Sequence, residues 1–96
     1  MIIPKEIENY IEQYTTDQSD ILNELSRETY IKKVNARMLA GKIQGQFLKF
    51  ISQMISPKNI LEIGTFTGYS TICLAKGLTN DGIINTIEIN PENEEI

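Results

Sequence analysis

The 96-residue sequence predicts an α/β fold in which N-terminal helices precede the first βαβ unit of a doubly wound parallel sheet, and three observations carry that prediction. Apolar residues recur at helical spacing as far as Ile55, and from Asn59 the pattern changes to short β-rich runs on either side of one helical segment. A glycine-bounded loop, Gly64-Thr-Phe-Thr-Gly68, joins the first of those runs to the helix. The chain accordingly divides into a helical segment, residues 1–56, and the start of an incomplete ligand-binding domain, residues 57–96.

Ile7, Tyr10, Ile11 and Tyr14 stand at helical spacing after Pro4, which suits a first-turn position. Thr15 to Asp20 is polar and turn-like, and Ser19 or Asp20 is placed to cap a second helix that carries Ile21, Leu22, Leu25 and later Tyr30 and Val34. Its charges, Glu24, Arg27, Glu28, Lys32 and Lys33, read as a solvated face. A third helix is expected from about Met38 to Ile55, with Ile43, Phe47, Phe50, Ile51, Met54 and Ile55 forming one apolar stripe directed at the core. Gly41 and Gly45 interrupt it, each at about 1 kcal/mol relative to alanine, so they serve either close packing or a bend near a ligand. Pro57 ends the helix because proline disfavours helical geometry in the residue before it.

Asn59 to Ile63 then reads as a short buried strand, Tyr69 to Leu78 as a helix, Asn80-Asp81-Gly82 as a turn and Ile83 to Ile89 as a second strand. Strand, helix and strand at this spacing imply a parallel pair with a right-handed crossover. Asn90-Pro91-Glu92-Asn93-Glu94-Glu95 has the features of a helix start: a capping residue, a first-turn proline and acidic residues. One turn has almost no independent stability, and two parallel strands normally need more strands and cover on both faces. The sequence is therefore expected to be the N-terminal part of a longer fold.

Composition narrows the function classes. Nine basic against thirteen acidic residues give a net charge of −4, and the bases are scattered, which argues against an extended nucleic-acid surface. The absence of histidine excludes imidazole chemistry and His-ligated zinc within this sequence. Cys73, the single cysteine, can form no internal disulfide and reads as a small buried hydrophobe. No segment approaches the roughly 20 apolar residues that span a bilayer, and the first residues lack the features of a signal peptide, so a cytoplasmic protein without a membrane partner is expected.

The stretch from Ile60 to Glu92 carries the chemistry. In doubly wound folds a ligand sits beyond the carboxyl ends of the strands, against the loop after the first strand, and an acidic residue ending the second strand accepts from ribose hydroxyls. Glu88, 20 residues after Gly68, has that place, so an adenosine-bearing cofactor is the leading ligand. A dinucleotide fingerprint would put its second glycine where Phe66 stands, and a phosphate loop of the GK[ST] type is missing. S-adenosylmethionine has adenosine without phosphates. Glu62 can hold its ammonium, and Ser70 with backbone N–H groups of the loop or helix start can take its carboxylate.

Ile60-Leu-Glu-Ile-Gly-Thr-Phe-Thr-Gly-Tyr-Ser70 resembles the first cofactor motif of the catechol and caffeoyl-CoA O-methyltransferase family, and Glu88-Ile-Asn-Pro-Glu92 resembles its second. Asn35 to Gln46 resembles the helix approach that leans over the methyl end of the cofactor in that family. The resemblance covers roughly residues 20 to 96 and implies a Rossmann-like methyltransferase fold. It also implies that Met38 and Ala40 line the methionine side of the pocket, that Glu62, Gly64, Phe66 and Ser70 surround the amino-acid moiety, and that Glu88 binds the ribose. The family's catalytic apparatus, a divalent metal, usually Mg²⁺, with a lysine base, belongs to later strands, so no catalytic or metal-binding residue is assigned here.

Each assignment has a plainer counterpart. Glu62 can cap the following helix, Glu88 can be a solvated strand end, Phe66 and Tyr69 can simply pack the loop, and Met38 can be core filler. The reading that follows is an O-methyltransferase acting on a hydroxyl of a small aromatic diol or of an RNA nucleoside, such as in tRNA. These 96 residues alone are expected to be inactive and to bind cofactor weakly or not at all. A homodimer or higher oligomer is expected, because the apolar stripe invites self-association where it is left uncovered. The alternative is a non-catalytic helical and βαβ module that self-associates through that stripe.

Overall fold

The computed structural model describes residues 3–95. Helices α1 (Lys5–Tyr14) and α2 (Asp20–Lys32) are followed by a 3-10 turn at Ala36–Met38 and by α3 (Gly41–Ile55). Strand β1 (Asn59–Ile63), helix α4 (Tyr69–Ala75) and strand β2 (Ile83–Ile87) form the βαβ unit, and a second 3-10 turn covers Pro91–Glu95. The strands pair in parallel, from Asn59 opposite Ile83 to Ile63 opposite Ile87.

The helix boundaries follow local chemistry. The Pro4 carbonyl accepts from the amides of Ile7 and Glu8 at the start of α1. Of the two candidate caps for α2, Ser19 is the one in place, its hydroxyl accepting from the Leu22 amide at 3.4 Å. At the end of α3, Ser56 takes a left-handed φ of 49°, as the residue before Pro57 is kept out of the helical region. Bonds from Lys76, Gly77 and Leu78 back to Cys73, Leu74 and Ala75 tighten the end of α4.

The expected α3 start at Met38 is corrected to Gly41. Gly41, with φ +82°, makes the bend between the 3-10 turn and the helix. Val34 falls beyond α2 and is fully exposed, and Ile21 and Tyr30 also face outward, so of the expected apolar residues α2 buries Leu22 and packs Leu25 on the core, with Thr29 buried beside them. The end of α4 is Ala75 rather than Leu78, and β2 ends at Ile87 rather than Ile89. In place of an α-helix start, the segment after Asn90 winds as a 3-10 turn, still capped by Asn90 Oδ1 accepting from the Glu92 amide at 3.1 Å. Met1, Ile2 and Ile96 lie outside the described residues.

The stripe on α3 is the largest correction. Phe47, Phe50 and Met54 are 60–66% exposed, and the face that α3 buries carries Gly45 and Ser52, with Leu48 between them. Small residues win here because α4 lies very close. A Cβ on Gly45 would stand 2.8 Å from a ring carbon of Tyr69 and 3.0 Å from the Cys73 sulfur, and Ser52 donates to the Leu74 carbonyl at 2.5 Å. Of the two readings for glycine in this helix, Gly45 serves close packing and Gly41 the bend. The core gathers Leu22, Leu39, Tyr69 and Cys73, with Leu25, Ala40, Leu48, Phe66 and Ile72 packed against it. It lies between the N-terminal helices and α4, directly behind the glycine loop.

Candidate functional site

Gly64, Phe66 and Gly68 all have positive φ, of 94°, 51° and 91°, so three of the five loop residues lie in the left-handed region. Glycine adopts that conformation freely, whereas Phe66 needs support. Its amide donates to Glu88 Oε1 at 2.7 Å, and its ring packs on the core. The amides of Gly64 and Thr65 donate to the Ile87 carbonyl at 2.7 and 3.2 Å, continuing the parallel ladder into the loop. Thr67 is buried and hydrogen-bonds at 2.9 Å to the fully buried hydroxyl of Thr29, which ties the loop to α2.

Glu62 sits at the carboxyl end of β1 on the side facing α4. Its Oε2 accepts from Ser70 at 2.5 Å, and its Oε1 accepts from Thr71 at 2.5 Å and Thr86 at 2.8 Å. Glu88 follows β2, its Oε2 accepting from the Asn90 amide at 3.0 Å. The backbone amides of Asn90 and then Phe66 hold its carboxyl below the ordinary glutamate pKa. Glu62, with three donors on about four acceptor positions, keeps one in reserve, whereas Glu88 also receives weaker hydrogen bonds from the Asn93 side chain and the Ile89 amide.

A cleft of about 300 Å³ opens over the loop, and Met38, Ala40, Glu62, Gly64, Phe66 and Ser70 all line it. This volume is at the lower end of that of small-molecule sites. Glu88 lies in an adjoining cleft of about 460 Å³ that shares Met38 and Phe66 with the first. Lys33 fastens the far wall of the second cleft by donating to the Glu92 carbonyl at 2.9 Å. Six of the seven residues singled out in the sequence thus line the first cleft, and Glu88 lines the second, with Met38 and Phe66 in the walls of both. Met38 is 65% exposed at its rim, so it is not core filler.

Sequence reasoning passed over the threonines. Thr71 and Thr86 bond Glu62, Thr65 bonds Thr86, and Thr29 and Thr67 clamp the loop. Alternation within Ile83–Ile87 places Thr86 on the face opposite to that of Ile83 and Ile87, and this was the available signal. Cys73 is buried and its thiol pKa is pushed up, chiefly by that burial. Among the described residues there is no group of three or more acidic, cysteine or histidine side chains suited to a metal. Among them also, no helix is long and apolar enough to cross a membrane.

Known proteins resemble this chain in sequence and in fold. The sequence profile of the O-methyltransferase family matches residues 12–96. Caffeoyl-CoA O-methyltransferase 2 of Petunia hybrida is 37% identical over 89 residues, covering 88% of this chain and 37% of the relative. A catechol O-methyltransferase of Niastella koreensis is 43% identical over 53 residues, covering 55% of this chain and 24% of the relative. Among solved structures, an SAH-bound methyltransferase of Podospora anserina superposes with a TM-score of 0.86 at 26% identity, over 99% of this chain and 44% of that one. An O-methyltransferase of Bacillus cereus in complex with SAH gives 0.75 at 31% identity, over 94% and 40%. The chain thus spans well under half the length of these relatives. It belongs to the O-methyltransferase family, whose Rossmann-like fold it shares over the N-terminal portion.

Proposed function

We propose that this chain provides the first half of the S-adenosylmethionine site of an O-methyltransferase that acts on a hydroxyl of a small aromatic diol. The observation that carries the reading is the pair of anchored carboxylates, Glu62 and Glu88, on either side of a loop whose central position is Phe66 rather than glycine. When bound, S-adenosylmethionine supplies the electrophilic methyl group. Glu62 would take the ammonium through its remaining acceptor position, and Glu88 would accept from the ribose hydroxyls while still bonded to the Phe66 and Asn90 amides. Gly64 keeps the loop open beside the amino-acid end, because nothing lies within 4 Å of where its Cβ would be. Met38 and Ala40 would shield the methyl end from water. Ser70 donates to Glu62, so its role in the site is to steady that carboxylate; the loop amides of Gly64, Thr65, Phe66 and Gly68 are already bonded, and the amides at the start of α4 are left for the cofactor's own carboxylate.

The net charge of −4 favours a small neutral acceptor over RNA. The metal implied by the resemblance finds no ligand cluster among the described residues, so no step is derived through it. A Mg²⁺ ion in the whole protein would take its ligands elsewhere. The test is a calorimetric titration of S-adenosylmethionine into the protein as its gene encodes it and into Glu88→Ala. The variant should lose about 1 to 3 kcal/mol of binding free energy, the value of hydrogen bonds to a charged group. Equal affinity in the two proteins removes Glu88 from the site. Self-association belongs to the same reading: a second copy of the chain would cover the exposed Phe47, Phe50 and Met54 face of α3.

A further inference from the structure

We infer that Thr86 and Thr71 are positioning residues for cofactor binding, acting on Glu62 from the strand and from the helix, with Thr65 bracing Thr86. The inference rests on the reading of Glu62 as the partner of the cofactor's ammonium. Proton counting fixes the direction of each bond. A carboxylate only accepts, so the Thr86 hydroxyl, 2.8 Å from Glu62 Oε1, spends its one proton there. The 2.6 Å contact between the hydroxyls of Thr65 and Thr86 must then run from Thr65 to Thr86. A relay results, from the glycine loop through β2 to the carboxylate at the end of β1. Thr71 donates to the same Oε1 at 2.5 Å from α4, and Ser70 fills one position on Oε2 at 2.5 Å.

The arrangement leaves Glu62 with one acceptor position, on Oε2, and that carboxylate lines the cleft. Thr86 faces Glu62 directly across the parallel pair, so the bond needs no flexible reach and survives as long as the strand register does. A free glutamate at a strand end would have to be ordered when the ligand arrives, and the affinity would fall by that cost. Three hydroxyls from two elements order it beforehand. Structural bracing of the βαβ unit is the competing explanation, and it differs in one respect. Bracing would serve every ligand alike, whereas orientation of Glu62 serves only a ligand with an ammonium group.

The experiment uses S-adenosylhomocysteine, which has the amino-acid end, and 5′-methylthioadenosine, which lacks it. Both are titrated into the protein as its gene encodes it and into Thr86→Val, Thr71→Val, their double variant and Thr86→Ser, with melting curves for each. Each valine should lower S-adenosylhomocysteine affinity about fivefold to twentyfold and leave 5′-methylthioadenosine within about twofold. Thr86→Ser, which keeps the hydroxyl and is the milder change for the fold, should retain affinity for both. Parallel loss of both ligands, or unchanged S-adenosylhomocysteine affinity in the double variant, overturns the positioning role and leaves the cofactor reading intact. If the unmodified protein binds S-adenosylhomocysteine no tighter than 5′-methylthioadenosine, the assignment of Glu62 falls and takes this inference with it.

Discussion

Glu88 joins the two halves of the candidate site, because the carboxylate proposed to bind a ribose also holds the left-handed Phe66 through its amide. That double use has a pH signature. The folded carboxyl titrates below its ordinary value, so its contribution to stability is complete above the unfolded pKa of 4.5 and is lost as pH falls through the lower folded value. Urea denaturation across the acid range should show Glu88→Gln losing less stability on acidification than the unmodified protein. An identical slope for both would detach the titration from this residue. Tyr69 gives the alkaline counterpart. Burial, with smaller contributions from Cys73 and Glu12, pushes its phenol up to about 12, and its hydroxyl is bonded to Gln18. Its contribution is complete below pH 10.0, the unfolded value, and is lost between there and about 12. Chemical denaturation at pH 9 and pH 11.5 should therefore show a drop of up to roughly 2 kcal/mol that is smaller in Tyr69→Phe.

At the scale of elements, the contact between α3 and α4 decides how the N-terminal helices meet the glycine loop. A Cβ on Gly77 would lie 2.2 Å from the Ser52 carbonyl carbon and 2.4 Å from the Gln53 nitrogen, all backbone atoms that cannot rotate away. Gly77→Ala should cost about 3 kcal/mol or more, the upper end of overpacking effects, which means a melting temperature lower by at least about 12 °C in a chain of this size. Gly45→Ala meets only side-chain atoms of Tyr69 and Cys73, and alanine recovers about 1 kcal/mol of helix propensity there. Its net cost should be roughly 0–2 kcal/mol. Differential scanning calorimetry of the two variants orders them, and a Gly45→Ala more damaging than Gly77→Ala would contradict the described packing. Gly45 and Ser52, seven residues apart, explain why the apolar stripe misled the expectation for α3. Glycine and serine have no weight in a hydrophobic pattern, although they form the face that allows the closest approach.

Over the whole molecule, apolar surfaces left open among the described residues include Phe47, Phe50 and Met54 on α3, and Leu61, Ile63, Ile83 and Ile87 on the face of the sheet away from α4. Parallel sheets are normally covered on both faces, and the relatives have more than twice this length. Sedimentation of the 96-residue chain should accordingly show concentration-dependent association, reduced in Phe47→Ser/Phe50→Ser. A monomer at all concentrations would rule out α3 as a contact between copies. The sequence by itself determined the order of elements, the parallel βαβ unit, the glycine loop and the places of Glu62 and Glu88. Those features depend on periodicity and spacing within about 30 residues, where backbone geometry leaves few alternatives. Only the tertiary structure decided which face of α3 is buried, that Thr29 clamps Thr67 across 38 positions, and that three hydroxyls meet on Glu62. Such contacts arise from elements converging in space, and a threonine that will bond a carboxylate looks, along the chain, like one that faces water.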